Sequence, residues 1–217
     1  MIGHVRGVRR VALAALVAAC GTSTPPASRV APPAAPVTSG GALKAPAAFD
    51  GIADRAERSR ALFAEAGKVL THARCVNCHP PDETPRQGDL HAIHDPPIIR
   101  GAKDNGIAAL QCTTCHQDRN AELARVPGAP GWHLAPIGMA WLGKTPAEIC
   151  VQIKDPARNG GRSLDQIYDH FAHDGLVAWG WSPGADRVPA PGTQVELAAL
   201  VHAWIETGAE CPTEAVR

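Results

Sequence analysis

Cys75-Val76-Asn77-Cys78-His79 and Cys112-Thr113-Thr114-Cys115-His116 are two copies of one pattern, C-x-x-C-H, in a chain of 217 residues. Two thiols two residues apart can add to the two vinyl groups on one edge of a haem, and the His that follows is then placed against the proximal face of the iron. Two copies predict two covalent haems, one on Cys75, Cys78 and His79 and one on Cys112, Cys115 and His116. Other readings stay open. Four thiolates can hold one zinc, although 33 residues separate Cys78 from Cys112 where a four-cysteine ribbon has about 15–20. Zinc also gives no reason for a His after each pair. Either C-x-x-C could instead run thiol exchange or close as a disulfide.

The opposite face of each iron needs its own account. Met139 is the only Met besides Met1, so at most one haem can be His/Met, and Met raises the potential relative to His. The preferred distal ligand is His94, in His91-Ala92-Ile93-His94-Asp95-Pro96-Pro97, where prolines stiffen a loop lying between the two motifs; His91 is second. His133 and Met139 share Trp132-His133-Leu134-Ala135-Pro136-Ile137-Gly138-Met139, which begins 16 residues after His116, and either could serve the second haem. His72 is one turn before Cys75; it, His170, His173 and His202 are weaker distal candidates, with His170 and His173 read first as surface residues or supports behind a ligand. The five Trp read as packing on haem faces and edges.

Working outward, 21 Gly and 20 Pro against three Phe and one Tyr describe a turn-rich chain with little aromatic bulk. Low Val, Ile, Phe and Tyr content argues against a sandwich or a long parallel sheet. Apolar residues at three- and four-residue steps predict a helix capped by Asp50 and running to about His72. Residues 80–106 read as an irregular loop, with a short helix at about 107–111. Thr145-Pro146-Ala147-Glu148, Ser163-Leu164-Asp165-Gln166 and Thr193-Gln194-Val195-Glu196 carry the capping-box pattern, predicting helices at about 146–154, 164–174 and 194–207. Cys150 and Cys211 are left over as an even pair, which in an oxidising compartment predicts a disulfide.

Residues 1–19 read as an export signal: Arg6, Arg9 and Arg10, then nine apolar residues from Val11 to Ala19, too short to span a bilayer. Without those three Arg the chain has 18 basic residues against 21 acidic. It lacks the positive surplus that nucleic-acid binding requires. Val17-Ala18-Ala19-Cys20-Gly21 resembles the bacterial lipobox, which implies acylation of Cys20, a membrane anchor facing the periplasm and, with Gly21, the outer membrane rather than the inner. Residues 22–48 hold six prolines and no acidic residue, and read as a tether. The folded body is expected over 49–217.

Over about residues 70–140 the chain resembles the multihaem c-type cytochromes. Only 32 residues lie between His79 and Cys112, too few for two separate monohaem folds, so the resemblance implies two haems in one body, close enough to exchange electrons. The expected fold is mainly α and loop-rich, stabilised by covalent haems and the disulfide. A second resemblance, through Pro97-Ile98-Ile99-Arg100-Gly101, Trp132-His133-Leu134-Ala135-Pro136, the stretch Ile153 to Gly161 and Trp179-Gly180-Trp181, is to bacterial proteins labelled as a subunit of isoquinoline 1-oxidoreductase. It implies a molybdenum hydroxylase as electron donor. The function expected is electron transfer from a dehydrogenase or hydroxylase to a downstream redox protein. The rival expectation is a haem enzyme, such as a peroxidase or thiol-oxidising dehydrogenase, or a redox or gas sensor, with one iron open to ligands.

Overall fold

A computed structural model describes residues 1, 3, 41–184 and 186–213. The export signal, Cys20 and all of the expected tether before Gly41 lie outside the described residues, apart from Met1 and Gly3. The body is mainly α. Its scaffold is α1 (Arg55–Leu70), with the short α2 (Ala73–Val76) and α3 (Cys112–Cys115), then α4 (Pro146–Lys154), α5 (Leu164–His173), α6 (Gly175–Ala178) and α7 (Gln194–Glu206). Among the described residues no helix is long and apolar enough to cross a membrane.

α1 is the central support, packing against both α7 and α4, while α5 lies on α7. Leu62, Phe63, Val69 and Leu70 from α1 meet Ile149 and Ile153 from α4 and Leu197, Leu200, Val201 and Trp204 from α7, all essentially inaccessible to solvent. The Phe63 and Trp204 rings are 4.8 Å apart. Ser59, fully buried between α1 and α7, donates to the Trp204 carbonyl (3.1 Å) and accepts from the Glu210 amide (2.9 Å). A Cβ at Gly67 would lie 2.8 Å from the Pro146 ring, so glycine is what lets α1 and α4 approach.

The expected disulfide is present. Cys150 of α4 is bonded to Cys211, 61 positions on in the sequence, with Cα atoms 5.5 Å apart. Lys154 adds a 2.7 Å hydrogen bond to the Ala209 carbonyl alongside it. The C-terminal end of α7 is thereby fastened to α4.

Three local expectations change. The cap of α1 is Asp54, which accepts from the Glu57 amide at 2.7 Å, and not Asp50. The chain before it is held in a 3₁₀ turn over Pro46–Phe49, and Leu43 is already buried in the core, so packing begins upstream of Phe49. The short helix expected at 107–111 is a hairpin, β3 (Gly106–Ile107) against β4 (Leu110–Gln111). Gly106 has φ +91°, and a Cβ there would sit 2.6 Å from the Leu110 carbonyl oxygen; five residues are also too few to nucleate a helix. A second hairpin, β1 (Arg86–Gln87) with β2 (Ala92–Ile93), interrupts the loop expected over 80–106. Helices α4, α5 and α7 match their predicted spans to within a residue, and α1 ends at Leu70. The boxes at Thr145 and Ser163 are complete, whereas Thr193 caps Glu196 but receives its carboxylate on its own hydroxyl.

Candidate haem sites

The second C-x-x-C-H motif is one short helical turn, α3, followed by His116, whereas the first begins within α2, which ends at Val76, and runs on through Asn77 and Cys78 to His79. His72 caps the first, accepting from the Arg74 amide at 3.2 Å. The carbonyls left at the end of α2 are used by the segment 135–142: the Ala135 amide donates to Cys78 (3.0 Å) and the Trp141 amide to His79 (2.9 Å). Buried Arg100 braces the same segment, donating to the Ala135 carbonyl (2.6 Å), to Asp104 and to the Asp82 carbonyl (3.3 Å).

The two histidines are held by one device. His79 Nδ1 lies 2.7 Å from the Met139 carbonyl, and His116 Nδ1 lies 2.7 Å from the Pro127 carbonyl. A carbonyl only accepts, so the proton is on Nδ1 and the Nε2 lone pair is left for a metal. Each imidazole is also stacked on a Trp: His79 on Trp141 at 3.5 Å and 8°, His116 on Trp132 at 4.5 Å and 6°. Burial pushes His79 down to about 3, against a smaller opposing effect of the Met139 hydrogen bond and with His170, Arg100 and His133 adding to the fall. His116 is lowered by burial as well. Both rings are neutral near pH 7, the form that ligates.

Burial raises the Cys75 thiol to about 12 and the Cys78 thiol to about 11. A thiol-exchange centre needs the opposite shift, so the redox-dithiol reading of the first motif loses its chemistry. Among the described residues no three His, Cys, Asp or Glu side chains gather as a metal cluster, and the four motif thiols do not form a single zinc centre. Cys112 is near enough to Cys78 for its charge to bear on that thiol. The two motifs are neighbours.

A cavity opens in front of the first motif. Cys75, Cys78 and His79 line one part of it, and Met139, His133 and His170 line others. The rest is largely apolar, with Trp179, Trp181 and Phe171 among the walls. Two buried donors of cavity-lining residues, Arg74 Nε and Trp141 Nε1, have no hydrogen-bond partner. An unmet buried donor costs about 1–3 kcal/mol, and haem brings two carboxylates. Two thiols, an Nε2 lone pair and unmet donors therefore fit this group. At the second motif Cys112 is half-buried and Cys115 exposed, and Ile93 and Ile107, beside His94 and before Cys112, are 65% and 42% exposed.

The chain matches no protein-family model, no curated protein and no solved structure.

The candidate distal residues divide differently from their order in the chain. His94 stands at the second motif, its ring 5.8 Å from that of His116 and its Nδ1 2.8 Å from the Pro96 carbonyl. His133 and Met139, expected at the second motif, line the cavity of the first. His91 is engaged with Asn77 Oδ1 at 2.9 Å. Trp204 is a core residue and does not flank either motif, unlike Trp132, Trp141, Trp179 and Trp181. His170, read from sequence as a surface residue, lines the first cavity beside Ile167 and Phe171. Its only sequence signal was Asp174, one helical turn on.

Proposed function

We propose that this chain is a dihaem c-type cytochrome that passes single electrons between protein partners at a bacterial membrane surface. The observation that carries the reading is the repetition: each C-x-x-C-H turn is followed by a His with Nδ1 tied to a backbone carbonyl and its ring stacked on a Trp. Chance supplies a motif more readily than it supplies the same second layer of support twice.

Bound haem supplies reversible one-electron iron chemistry. The chain's part begins with attachment. Cys75, Cys78, Cys112 and Cys115 would hold the two haems as thioethers, each thiol adding across a vinyl double bond, sulfur to one carbon and hydrogen to the other, so that no oxidant would be consumed. The Met139 and Pro127 carbonyls fix the donor nitrogen of His79 and His116 and increase its basicity. Trp141 and Trp132 hold the ring planes. Arg74, buried beside Cys75 and paired with Asp89, keeps an unpartnered Nε–H for a carboxylate. The charge of Cys112 bears on the Cys78 thiol, which supports two centres near enough to exchange electrons. Partners fitting this reading are redox proteins, with a molybdenum hydroxylase as one donor, and a lipid on Cys20 would keep the carrier at the membrane.

The test is haem stoichiometry in protein made by a host that matures c-type haems. Denatured chain should keep two haems through acid–acetone extraction, and its mass should exceed that of the polypeptide by two haems. One haem, none, or bound zinc in their place would sink the reading. Two six-coordinate low-spin irons mark a carrier, while rapid carbon monoxide binding at one iron marks an enzyme or sensor.

A further inference from the structure

We propose that His170 is the distal ligand of the iron that His79 holds, and that Asp174 positions it. The inference rests on the dihaem reading and adds to it the residue that closes the first site. His170 lines the cavity faced by Cys75, Cys78 and His79, between Ile167 and Phe171, which line it too. Those two apolar residues are buried and fix the roll of α5, so the imidazole sits at a position with little freedom.

Its protonation pattern is that of a ligand. His170 Nδ1 lies 3.0 Å from Asp174 Oδ2; the carboxylate accepts, the proton lies on Nδ1, and Nε2 keeps its lone pair. A carboxylate behind an imidazole is one of the ways in which proteins orient a metal-bound His. Asp174 is itself immobilised. Its Oδ1 accepts from the Leu176 amide at 2.8 Å, and its carbonyl accepts from Gln194 of α7 at 3.2 Å. His79 and His116 use backbone carbonyls for the same purpose.

The other residues of the cavity are less suited. Met139 gives its carbonyl to His79 Nδ1, so its backbone lies at the edge of that ring away from Nε2, the nitrogen left for a metal. His133 is exposed, sits in an irregular segment, and has only the carbonyl of Gly131, two residues back, to orient it (2.5 Å).

The experiment compares holoprotein of the wild type, H170A, H133A and D174N, with covalent haem counted before spectra are taken. H170A should keep two haems, convert one of two low-spin signals in the electron paramagnetic resonance spectrum to high-spin, and recover it when imidazole is added. H133A should keep both. In D174N both irons should stay low-spin, but cyanide should displace one ligand at about ten-fold lower concentration or less. Two haems with an unchanged H170A spectrum, or high-spin iron in H133A instead, overturn the assignment and leave the dihaem reading intact. A wild type without haem overturns both. If H170A loses haem, D174N decides: cyanide sensitivity equal to wild type overturns the assignment.

Discussion

The His94 and His116 rings lie 5.8 Å apart, centroid to centroid, at an angle of 64°. Two imidazoles on opposite faces of one iron would have centroids about 6 Å apart, given metal–nitrogen bonds of about 2 Å and a ring radius of about 1 Å. His94 is tied by Nδ1 to the Pro96 carbonyl and so presents the same nitrogen as His116. Replacing His94 with Ala should convert the haem on Cys112 and Cys115 from low-spin to high-spin and leave the other unchanged. A visible and paramagnetic-resonance spectrum of the variant identical to wild type would remove His94 from the site.

Gly128 holds up the carbonyl that orients His116. A Cβ at this position would fall against the backbone carbonyls of Arg119 and Gln117, and the Gly128 amide is bound by Asn120 Oδ1 at 3.0 Å. Gly128→Ala should therefore push Pro127 away from His116 and cost about 1–3 kcal/mol through overpacking. Weakening that hydrogen bond makes His116 a poorer donor, so the potential of the second haem should rise. Denaturant melts and a redox titration read the two effects separately, and a variant unchanged in both would show that the loop 117–128 yields freely.

These relationships explain what a sequence can and cannot disclose. The pairing of Cys150 with Cys211 was legible because it depends on residue type and count. Helices α4, α5 and α7 were legible because their caps are local: Thr145, Ser163 and Thr193 find their partners three residues away. The start of α1 was misplaced because Asp50 and Asp54 both suit a cap and the buried Phe49, a tertiary contact, selects between them. The hairpin at 106–111 was missed because the backbone of Gly106, not an apolar period, decides it. His170 was ranked among the weaker distal candidates for the same kind of reason. On its own helix it looks like a surface imidazole paired with an acid; only the packing of Ile167 and Phe171 turns it toward Cys75 and Cys78. Nothing in the order of residues announced that His94 would reach His116 and His133 the first cavity, since that depends on how the loops fold back.

The Cys150–Cys211 bond should contribute about 4 kcal/mol, from the chain-entropy estimate for a loop of its length, and more strictly local support besides. It holds the segment after α7, whose Glu210 amide and carbonyl bond to Ser59 and Trp204. A Cys150→Ala/Cys211→Ala double variant should unfold at lower denaturant with an unchanged helical spectrum in the native state. Equal midpoints for the variant and the oxidised wild type would contradict this.

Trp141 is buried and stacked on His79, so Trp141→Ala removes core volume and the surface that sets the ring plane together. The expected cost is about 3–5 kcal/mol, with a broadened low-spin signal from one haem only. Trp132→Ala should act in the same way on the other. If both variants perturb the same haem, the two stacks do not belong to separate sites.

Asp174 makes acid stability depend on α5. Its hydrogen bond from His170 is the main cause that lowers it to about 2 from an ordinary 3.8, with the Leu176 amide adding to the fall and burial opposing it. A carboxylate with a depressed folded pKa gives stability that is fully present above its unfolded value and is lost as pH falls through the folded one. The window is therefore about pH 4 down to about pH 2. The side chain is one-third exposed, so solvent screening leaves on the order of 1 kcal/mol for this group. Asn at 174 still caps α6 but cannot ionise, so Asp174→Asn should be less stable than wild type at pH 6 and approach it as pH falls below 4. Measured as the difference between the two proteins' unfolding free energies, the gap should close across that window, because other carboxylates titrate equally in both. A gap that stays constant from pH 6 to pH 2 would mean that the His170–Asp174 contact contributes nothing through its charge.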